Sequence, residues 1–144
     1  MTARPHLADS DQVVLVDTQG NPTGVAPRST VHGSNTPRHL AFSSYLSDGQ
    51  GHVLMTRRSL SKQAWPSVWS HSACGHPLPG KSMEEAVSRR IREELGCVAR
   101  GLQIVLPTFE YRATNPNGLV ENELCPVVAG IIAPGEVDPD FERS

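Results

Sequence analysis

The sequence predicts an α+β (mixed α/β) fold, because strand-like runs stand on both sides of one convincing helix. That helix is expected over residues 82–95. The 144 residues include twelve Gly and twelve Pro, which favours many turns over a helical bundle. The length fits a single domain over residues 1–144 that buries roughly two thirds of its unfolded surface, with residues 1–11 loose.

The first half of the chain reads as short strands. Residues 12–17 predict a buried strand that ends at a Gly-Asn-Pro turn. Residues 40–46 and 52–56 predict a hairpin whose loop is longer than two residues. Residues 65–72 are expected to be extended and to lead into a cysteine-containing turn.

The helix carries both end signals. Ser82 and Glu85 form a capping box, and Gly96 can end the helix. Its apolar residues recur at every fourth position, which predicts one buried face. They are Met83, Val87, Ile91 and Leu95.

Strand character returns after the helix, over residues 102–112 and 119–133. Pro126 lies inside the second run. Because proline cannot donate a backbone hydrogen bond, it predicts a strand edge or a bulge there.

Composition limits the classes of function. The formal net charge is −2, which gives no reason to expect nucleic acid or a membrane as partner. Cysteines 74, 97 and 125 cannot all pair within one chain and form no Cys-x-x-Cys motif. No apolar run resembles a signal peptide or a membrane span, so reduced thiols in the cytoplasm are expected.

Cys74 and His76 place a thiol two residues before an imidazole, within a turn that includes Gly75 and Pro77. A free cysteine is often a small buried hydrophobe, and that alternative stays open. The turn favours an exposed, functional thiol instead. Cys97 and Cys125 lack such a setting and are expected to pack in the interior.

Three histidines and two glutamates suggest a metal-assisted proton-transfer centre. Residues 27–39 form a polar segment rich in turn formers, so His32 and His39 are expected on or beside a loop. Glu121 and Glu123 would point to one face of a strand. With His76 they offer imidazole and carboxylate ligands for a divalent metal. Solvated histidines and a solvated strand face remain the alternatives.

Two sets of charges allow a plain and a functional interpretation. Basic and acidic residues four apart on the helix predict surface ion pairs worth a few tenths of a kcal/mol. Alternatively, Glu94 binds a second metal and Arg90 an anionic substrate. The basic residues that follow residue 56 are either solvated surface charges or a binding site for a diphosphate. These sets are Arg89, Arg90, Glu93 and Glu94 on the helix, and Arg57, Arg58 and Lys62 after the strand.

Four segments together resemble type I isopentenyl-diphosphate isomerase, over residues 13–132. They are TPRHLAFSS (36–44), TRRSLSKQAWPSVW (56–69), ACGHP (73–77) and YRATNPNGLVENELCP (111–126). The resemblance implies a Nudix-like fold with mixed sheets and a degenerate Nudix box that begins at Gly75. Lys81 and Arg90 stand where a Nudix hydrolase has glutamates that gather magnesium, which counts against hydrolysis.

The resemblance implies interconversion of isopentenyl and dimethylallyl diphosphate. Such isomerases add a proton on one face of a carbon–carbon double bond and remove one on the other, with bulk water excluded. The carry-over assigns Cys74 and Glu123 to the two faces. Tyr111 is implied to support the glutamate through a hydrogen bond.

The resemblance also implies two cation sites and a diphosphate site. Mn²⁺, Mg²⁺ or Zn²⁺ would bind His32, His39, His76, Glu121 and Glu123. A Mg²⁺ ion that bridges the diphosphate would bind Glu94 and the backbone carbonyl of Cys74. The diphosphate would contact Arg28, Arg58, Lys62 and Arg90. The expected partner is a small isoprenoid diphosphate, and the oligomeric state stays open.

The sequence departs from that family after about residue 136, where a polar tail stands in place of a further helix and a closing tryptophan. The cap over the hydrocarbon is therefore expected to be absent from these residues. Two rival functions stay open. One is a Nudix-type diphosphate hydrolase, and the other is an inactive module that binds metal or diphosphate.

Overall fold

The computed structural model describes residues 12–57, 60, 67, 69–133, 135 and 137. The expectation of a loose segment over residues 1–11 lies outside this part of the chain. The described elements are β1 (Gln12–Val16), β2 (Pro22–Pro27), α1 (Arg28–Val31), β3 (His39–Leu40), β4 (Phe42–Ser47), β5 (Thr56–Arg57), β6 (Trp69–Ser70), β7 (Ala73–Gly75), α2 (Met83–Leu95), β8 (Arg100–Leu106), β9 (Glu110–Thr114), β10 (Val120–Leu124) and β11 (Val127–Ile131).

Two mixed sheets form the framework, so the α+β architecture is confirmed. One sheet has the strand order β2-β1-β3-β10-β9 and the other β7-β4-β11-β8, while β5 and β6 pair as a separate ribbon. Two pairs of strands run parallel, β3 with β10 and β4 with β11. The remaining strand pairs in the described residues are antiparallel.

The two sheets meet where neighbouring parallel strands pass from one sheet to the other. Ala41 separates β3 from β4, and Cys125 and Pro126 separate β10 from β11. The backbone N–H of Ala41 donates to Leu124 O at 2.9 Å, and that of Ser43 donates to Pro126 O at 3.1 Å. Pairing thus continues across the junction, and the irregularity predicted at Pro126 is this change of sheet.

Helix α2 has the predicted ends and the predicted buried face. The Ser82 hydroxyl accepts from the Glu85 N–H and the Glu85 carboxylate accepts from the Ser82 N–H, while Gly96 ends the helix in the left-handed region at φ 69°. The apolar stripe packs on the four-stranded sheet, where the Phe42 and Leu46 side chains complete the core. Burying each such side chain contributes about 1.5–3 kcal/mol.

Several predicted strands were wrong in extent. Residues 52–56 do not form the second strand of a hairpin; a single bridge joins Ser47 to Val53, and β4 pairs instead with β7 and β11. The run predicted over 102–112 is broken at residues 107–109 into β8 and β9. In the predicted extended run 65–72, residues 65, 66 and 68 lie outside the described part, and β6 follows.

The region from residue 22 to His39 contains more regular structure than expected. β2 forms a hairpin with β1, and α1 occupies residues that the sequence assigned to a loop. His39 itself lies in β3, where it is fully buried. Within the described residues, no helix has the length and apolar character needed to cross a membrane.

Candidate metal centre and active site

Three imidazoles and one carboxylate converge at the junction of the two sheets. One potential ligand atom from each of His32, His39, His76 and Glu123 lies within 4.8 Å of the other three. The Glu123 Oε2 atom is 3.3 Å from His39 Nε2 and 3.4 Å from His76 Nε2. Distances between the ring centroids of the three imidazoles run from 5.0 to 5.9 Å.

Different elements deliver these side chains. His39 and Glu123 are direct partners in the parallel pairing of β3 with β10. His76 comes immediately after β7 of the other sheet, and His32 caps the end of α1. Residues far apart in the chain therefore meet because two short parallel strands pair at the sheet junction.

The hydrogen bonding of His39 indicates a cation between it and Glu123. His39 Nδ1 lies 2.9 Å from the Pro37 carbonyl oxygen, so that nitrogen carries a proton and donates it. His39 Nε2 is buried and has no hydrogen-bond partner, although the carboxylate oxygen is 3.3 Å away. A lone pair that faces an anion is stabilised by a proton or a metal ion, and an imidazole held by a carbonyl is typical of metal centres.

Electrostatics in the metal-free protein favour an ionised Glu123 and a neutral His32, whereas a metal would have to displace a proton from His39. Burial opposes ionisation of Glu123, but the neighbouring imidazoles of His39 and His76 hold its pKa well below the usual range. Burial, with the nearby His39 and His76 rings, lowers the pKa of His32 to about 4. Burial also disfavours protonation of His39, yet its contacts with Glu123 and Pro37 raise its pKa overall. The donor set suits a divalent cation.

The predicted ligand Glu121 lies outside this close group. Its Oε1 atom accepts a hydrogen bond of 2.7 Å from the Tyr111 hydroxyl. The sequence had directed that hydroxyl to Glu123, which instead faces Tyr111 across the β9–β10 pairing. Burial and the charges of the two glutamates raise the Tyr111 pKa, so the phenol stays protonated and donates to the Glu121 carboxylate.

Cys74 lies in β7, half-buried and in the reduced state. Its backbone carbonyl accepts a hydrogen bond of 3.1 Å from Arg90 Nε. Cys97 and Cys125 are buried, as predicted. Burial raises the pKa of the Cys125 thiol to about 12.

Arg90 contacts both groups that the sequence assigned to a magnesium ion. Besides the Cys74 carbonyl, its guanidinium lies 3.3 Å from Glu94 Oε2 and 3.4 Å from Glu93 Oε1. The ion pairs predicted between residues four apart on the helix are thus present. They are Arg90 with Glu94, and Arg89 with Glu93 at 3.8 Å. The structure therefore places an arginine cation, and not an open carboxylate, beside Cys74.

The predicted diphosphate residues are only partly described. Arg28 begins α1 and is half-buried. Arg58 and Lys62 lie outside the described residues. Arg57, in β5, donates from Nε to the Ser67 carbonyl at 3.0 Å.

Ser43 lies near the site, and no sequence pattern indicated it. It pairs directly with Cys74 across β4 and β7, and its hydroxyl oxygen lies 3.4 Å from the Cys125 sulfur. Side chains of directly opposed residues share a sheet face. The alternation within residues 42–47 was visible, but the pairing with β7 was not.

Residues 37–143 match the NUDIX domain family. The chain is 49% identical over 139 residues to the isopentenyl-diphosphate Delta-isomerase of Mycolicibacterium vanbaalenii, covering 96% of this chain and 76% of that protein. It is 53% identical over 131 residues to the protein of that name from Citrobacter koseri, with 90% and 72% covered. The Frankia alni protein of that name is 54% identical over 130 residues, with 90% and 66% covered.

A solved structure supports the same fold. The crystal structure of DR0079 from Deinococcus radiodurans superposes with a TM-score of 0.64 over 92% of this chain and 76% of that one. The sequence identity is 22%, so this likeness concerns the fold alone.

Proposed function

The chain belongs to the NUDIX domain family and, within it, to the isopentenyl-diphosphate Delta-isomerases, and from this premise we propose that it interconverts isopentenyl diphosphate and dimethylallyl diphosphate. The observation that carries the proposal is the placement of Glu123 among three imidazoles, on the strand next to β3. A buried, ionised carboxylate that contacts His76, two residues after Cys74, suits proton transfer to and from carbon.

The reaction moves one proton on and one proton off. The terminal methylene of isopentenyl diphosphate gains a proton, which leaves positive charge on the tertiary carbon. Loss of a proton from the adjacent methylene then forms the new double bond, so the atoms and charge balance. Two proton-transfer groups on opposite faces of the substrate are required, with water excluded.

We assign Cys74 and Glu123 to these two faces, with either group as donor in a given direction. The imidazoles of His39 and His76 keep the pKa of Glu123 low, so it is a carboxylate at neutral pH. Cys74 lies on the other sheet of the junction, in β7. Tyr111 would act through Glu121, whose carboxylate it holds at 2.7 Å.

The main cation site would consist of His32, His39, His76 and Glu123, with Glu121 as the further ligand implied by the family. Mn²⁺, Mg²⁺ or Zn²⁺ are the candidate ions, because mixed imidazole and carboxylate sets accept all three to different degrees. Such an ion supplies positive charge that balances the buried carboxylate and tunes its affinity for a proton.

We assign the diphosphate to Arg28, Arg58, Lys62 and Arg90, with a Mg²⁺ ion at Glu94 and the Cys74 carbonyl. Arg90 now contacts both of these oxygen groups. Binding of the diphosphate would therefore require Arg90 to exchange those contacts for phosphate oxygens. Arginine suits that exchange because its planar donors match phosphate as well as carboxylate.

The domain organisation, the substrate class and the cellular compartment are also proposals. We take residues 1–144 as one domain that acts on a small diphosphate in the cytoplasm. The three free cysteines fit a reducing compartment. Hydrolysis of a diphosphate is the second candidate, and Lys81 and Arg90 oppose it by placing positive charge where hydrolases need carboxylates.

The test is product formation from isopentenyl diphosphate with Mn²⁺ and Mg²⁺ present. We expect dimethylallyl diphosphate from the parent chain and a loss of about 10²-fold or more in Cys74→Ser and Glu123→Gln. Glu110→Gln is the matched control, because Glu110 contacts Arg38 on the exposed end of β9. Phosphate release without isomerisation would favour the hydrolase, and parent-like rates in both variants would refute the assigned roles.

A further inference from the structure

The short loop between two of the clustered histidines is held by hydrogen bonds at Gly33 and at Thr36. Residues 33–38, here called the histidine loop, connect His32 at the end of α1 to His39 in β3. We propose that Thr36 and Asn122 are positioning residues of the metal centre, which hold the histidine loop on β10 and so aim His32 at the metal. The proposal rests on the metal site of the proposed function, and not on the isomerase reaction.

His32 needs such support more than the other members of the cluster. His39 and Glu123 are held by paired strands, and His76 follows β7 directly. His32 instead ends a helix of four residues that has no side-chain cap at its start. A single helical turn has little stability of its own. Besides the packing of α1 on β1 and β2 through the buried Val31, the loop that follows His32 is therefore a main support of its position.

Thr36 closes that loop through one hydroxyl group. Its side-chain oxygen accepts a hydrogen bond from the Gly33 N–H at 2.9 Å and donates to the Gly33 carbonyl at 3.1 Å. Thr36 is 3% exposed, so no solvent replaces these bonds if the hydroxyl is removed. The hydroxyl thus fixes the backbone of the residue next to His32.

Two hydrogen bonds then attach the closed loop to β10. The Val120 N–H donates to the Gly33 carbonyl at 2.8 Å. The Asn122 side-chain amide donates to the Thr36 carbonyl at 3.2 Å. Both donors lie on the strand that carries Glu123. The positions of both His32 and Glu123 therefore depend on β10, which fixes the distance between the two side chains before a cation binds.

The size of the effect follows from other metal centres. Removing a group that orients a ligand commonly lowers metal affinity by about 10- to 100-fold. Thr36→Val keeps the shape of the buried side chain and removes the hydroxyl. Asn122→Ala removes the amide from a half-buried strand position. We expect each variant to bind Mn²⁺ at least about tenfold more weakly than the parent.

The experiment titrates metal-free protein with Mn²⁺ by calorimetry. Thr36→Ser should restore affinity to within about threefold of the parent, because it returns the hydroxyl. Thr114→Val is the control, since Thr114 is exposed and pairs with Val120 from the other side. Parent-like affinity in Thr36→Val and Asn122→Ala would overturn the proposal, even if the parent proves to be an active isomerase.

A double-mutant cycle distinguishes positioning from general damage. If the loop acts through His32, Thr36→Val should cost affinity in the parent and nothing further in His32→Ala. An equal loss in both backgrounds would show that Thr36 only supports the fold. If Thr36→Val does not fold, as judged by circular dichroism, Asn122→Ala takes its place in the cycle. Isomerase rates measured in parallel test the proposed function separately.

Discussion

Burial of the Glu123 carboxylate lowers the stability of the fold, and the same burial places it among the candidate metal ligands. It is 6% exposed, and burial of a carboxylate is unfavourable unless positive charge is near. His39 and His76 both face the same carboxylate oxygen. Without a metal, the contact between His39 and Glu123 favours a proton on the His39 imidazole, so the pH and the metal are linked at this residue.

Titration of His32 should lower the stability of the metal-free protein on acidification, whereas the raised pKa of His39 acts in the opposite direction. The pKa of His32 is lowered from 6.5 to about 4 by burial and by its two imidazole neighbours. Between these values the unfolded chain binds more protons than the folded chain, so stability is lost as the pH falls through that window. After allowance for partial solvent exposure, we expect about 1 kcal/mol lost between pH 7 and pH 5.

Urea denaturation in EDTA tests this expectation with His32→Gln beside the parent. The variant lacks the titrating ring, so between pH 7 and pH 5 the parent should lose about 1 kcal/mol more of its free energy of unfolding than the variant loses. His52→Gln is the control, because that ring is exposed. Parallel curves for the parent and His32→Gln would contradict the lowered pKa.

Tyr111 offers a second test at the scale of one residue. Tyr111→Phe removes the hydrogen bond to Glu121 and keeps the ring. A hydrogen bond to a charged group is worth roughly 1.5–3 kcal/mol, so we expect an isomerisation rate about 10- to 100-fold lower. Tyr45→Phe is the matched control. An unchanged rate in Tyr111→Phe would remove the phenol from the mechanism.

At the scale of elements, α2 was predictable because its signals are local. The capping box, the four-residue apolar repeat and the terminal glycine all lie within residues 82–96. β2 and α1 were not predicted because their residues are mostly Gly, Pro and polar types, which are typical of loops. Both elements are stabilised by contacts with β1, which the local sequence does not reveal. In the sequence, only Pro126 indicated that this region divides into two strands, β10 and β11.

The cap of α2 can be tested separately from its packing. Ser82→Ala removes the acceptor for the Glu85 N–H, and we expect the free energy of unfolding to fall by about 1 kcal/mol. Ser88→Ala is the matched control, since Ser88 is exposed in the helix interior, where alanine is at least as favourable. Equal stability of Ser82→Ala and the parent in urea denaturation would refute the contribution of the cap.

At the scale of the whole molecule, the four residues of the histidine and glutamate cluster could be named from the sequence, and their arrangement could not. The histidine and glutamate types and the family motifs pointed to a metal centre. The convergence of His32, His39, His76 and Glu123 depends on a parallel pairing between strands about eighty residues apart, for which the chain carries no local signal. Tyr111 departs from expectation because it lies directly opposite Glu123 in the β9–β10 register, yet its hydroxyl reaches diagonally to Glu121. A diagonal neighbour two residues along a strand is within reach of an aromatic side chain, and local sequence does not decide between the two carboxylates.

The same arrangement predicts that a metal joins the two sheets. His39 and Glu123 belong to the five-stranded sheet, whereas His76 follows β7 of the four-stranded sheet. A ligand bound only to the folded state stabilises it by about 2.7 kcal/mol at one hundred times its dissociation constant, which raises the melting temperature by roughly 10 °C. Hydrogen exchange should therefore show Mn²⁺-dependent protection in strands of both sheets. His76→Ala should lose most of the thermal shift, while the exposed His52→Ala should keep it. Protection confined to the five-stranded sheet would contradict this role, because a metal held by His76 restrains β7 as well.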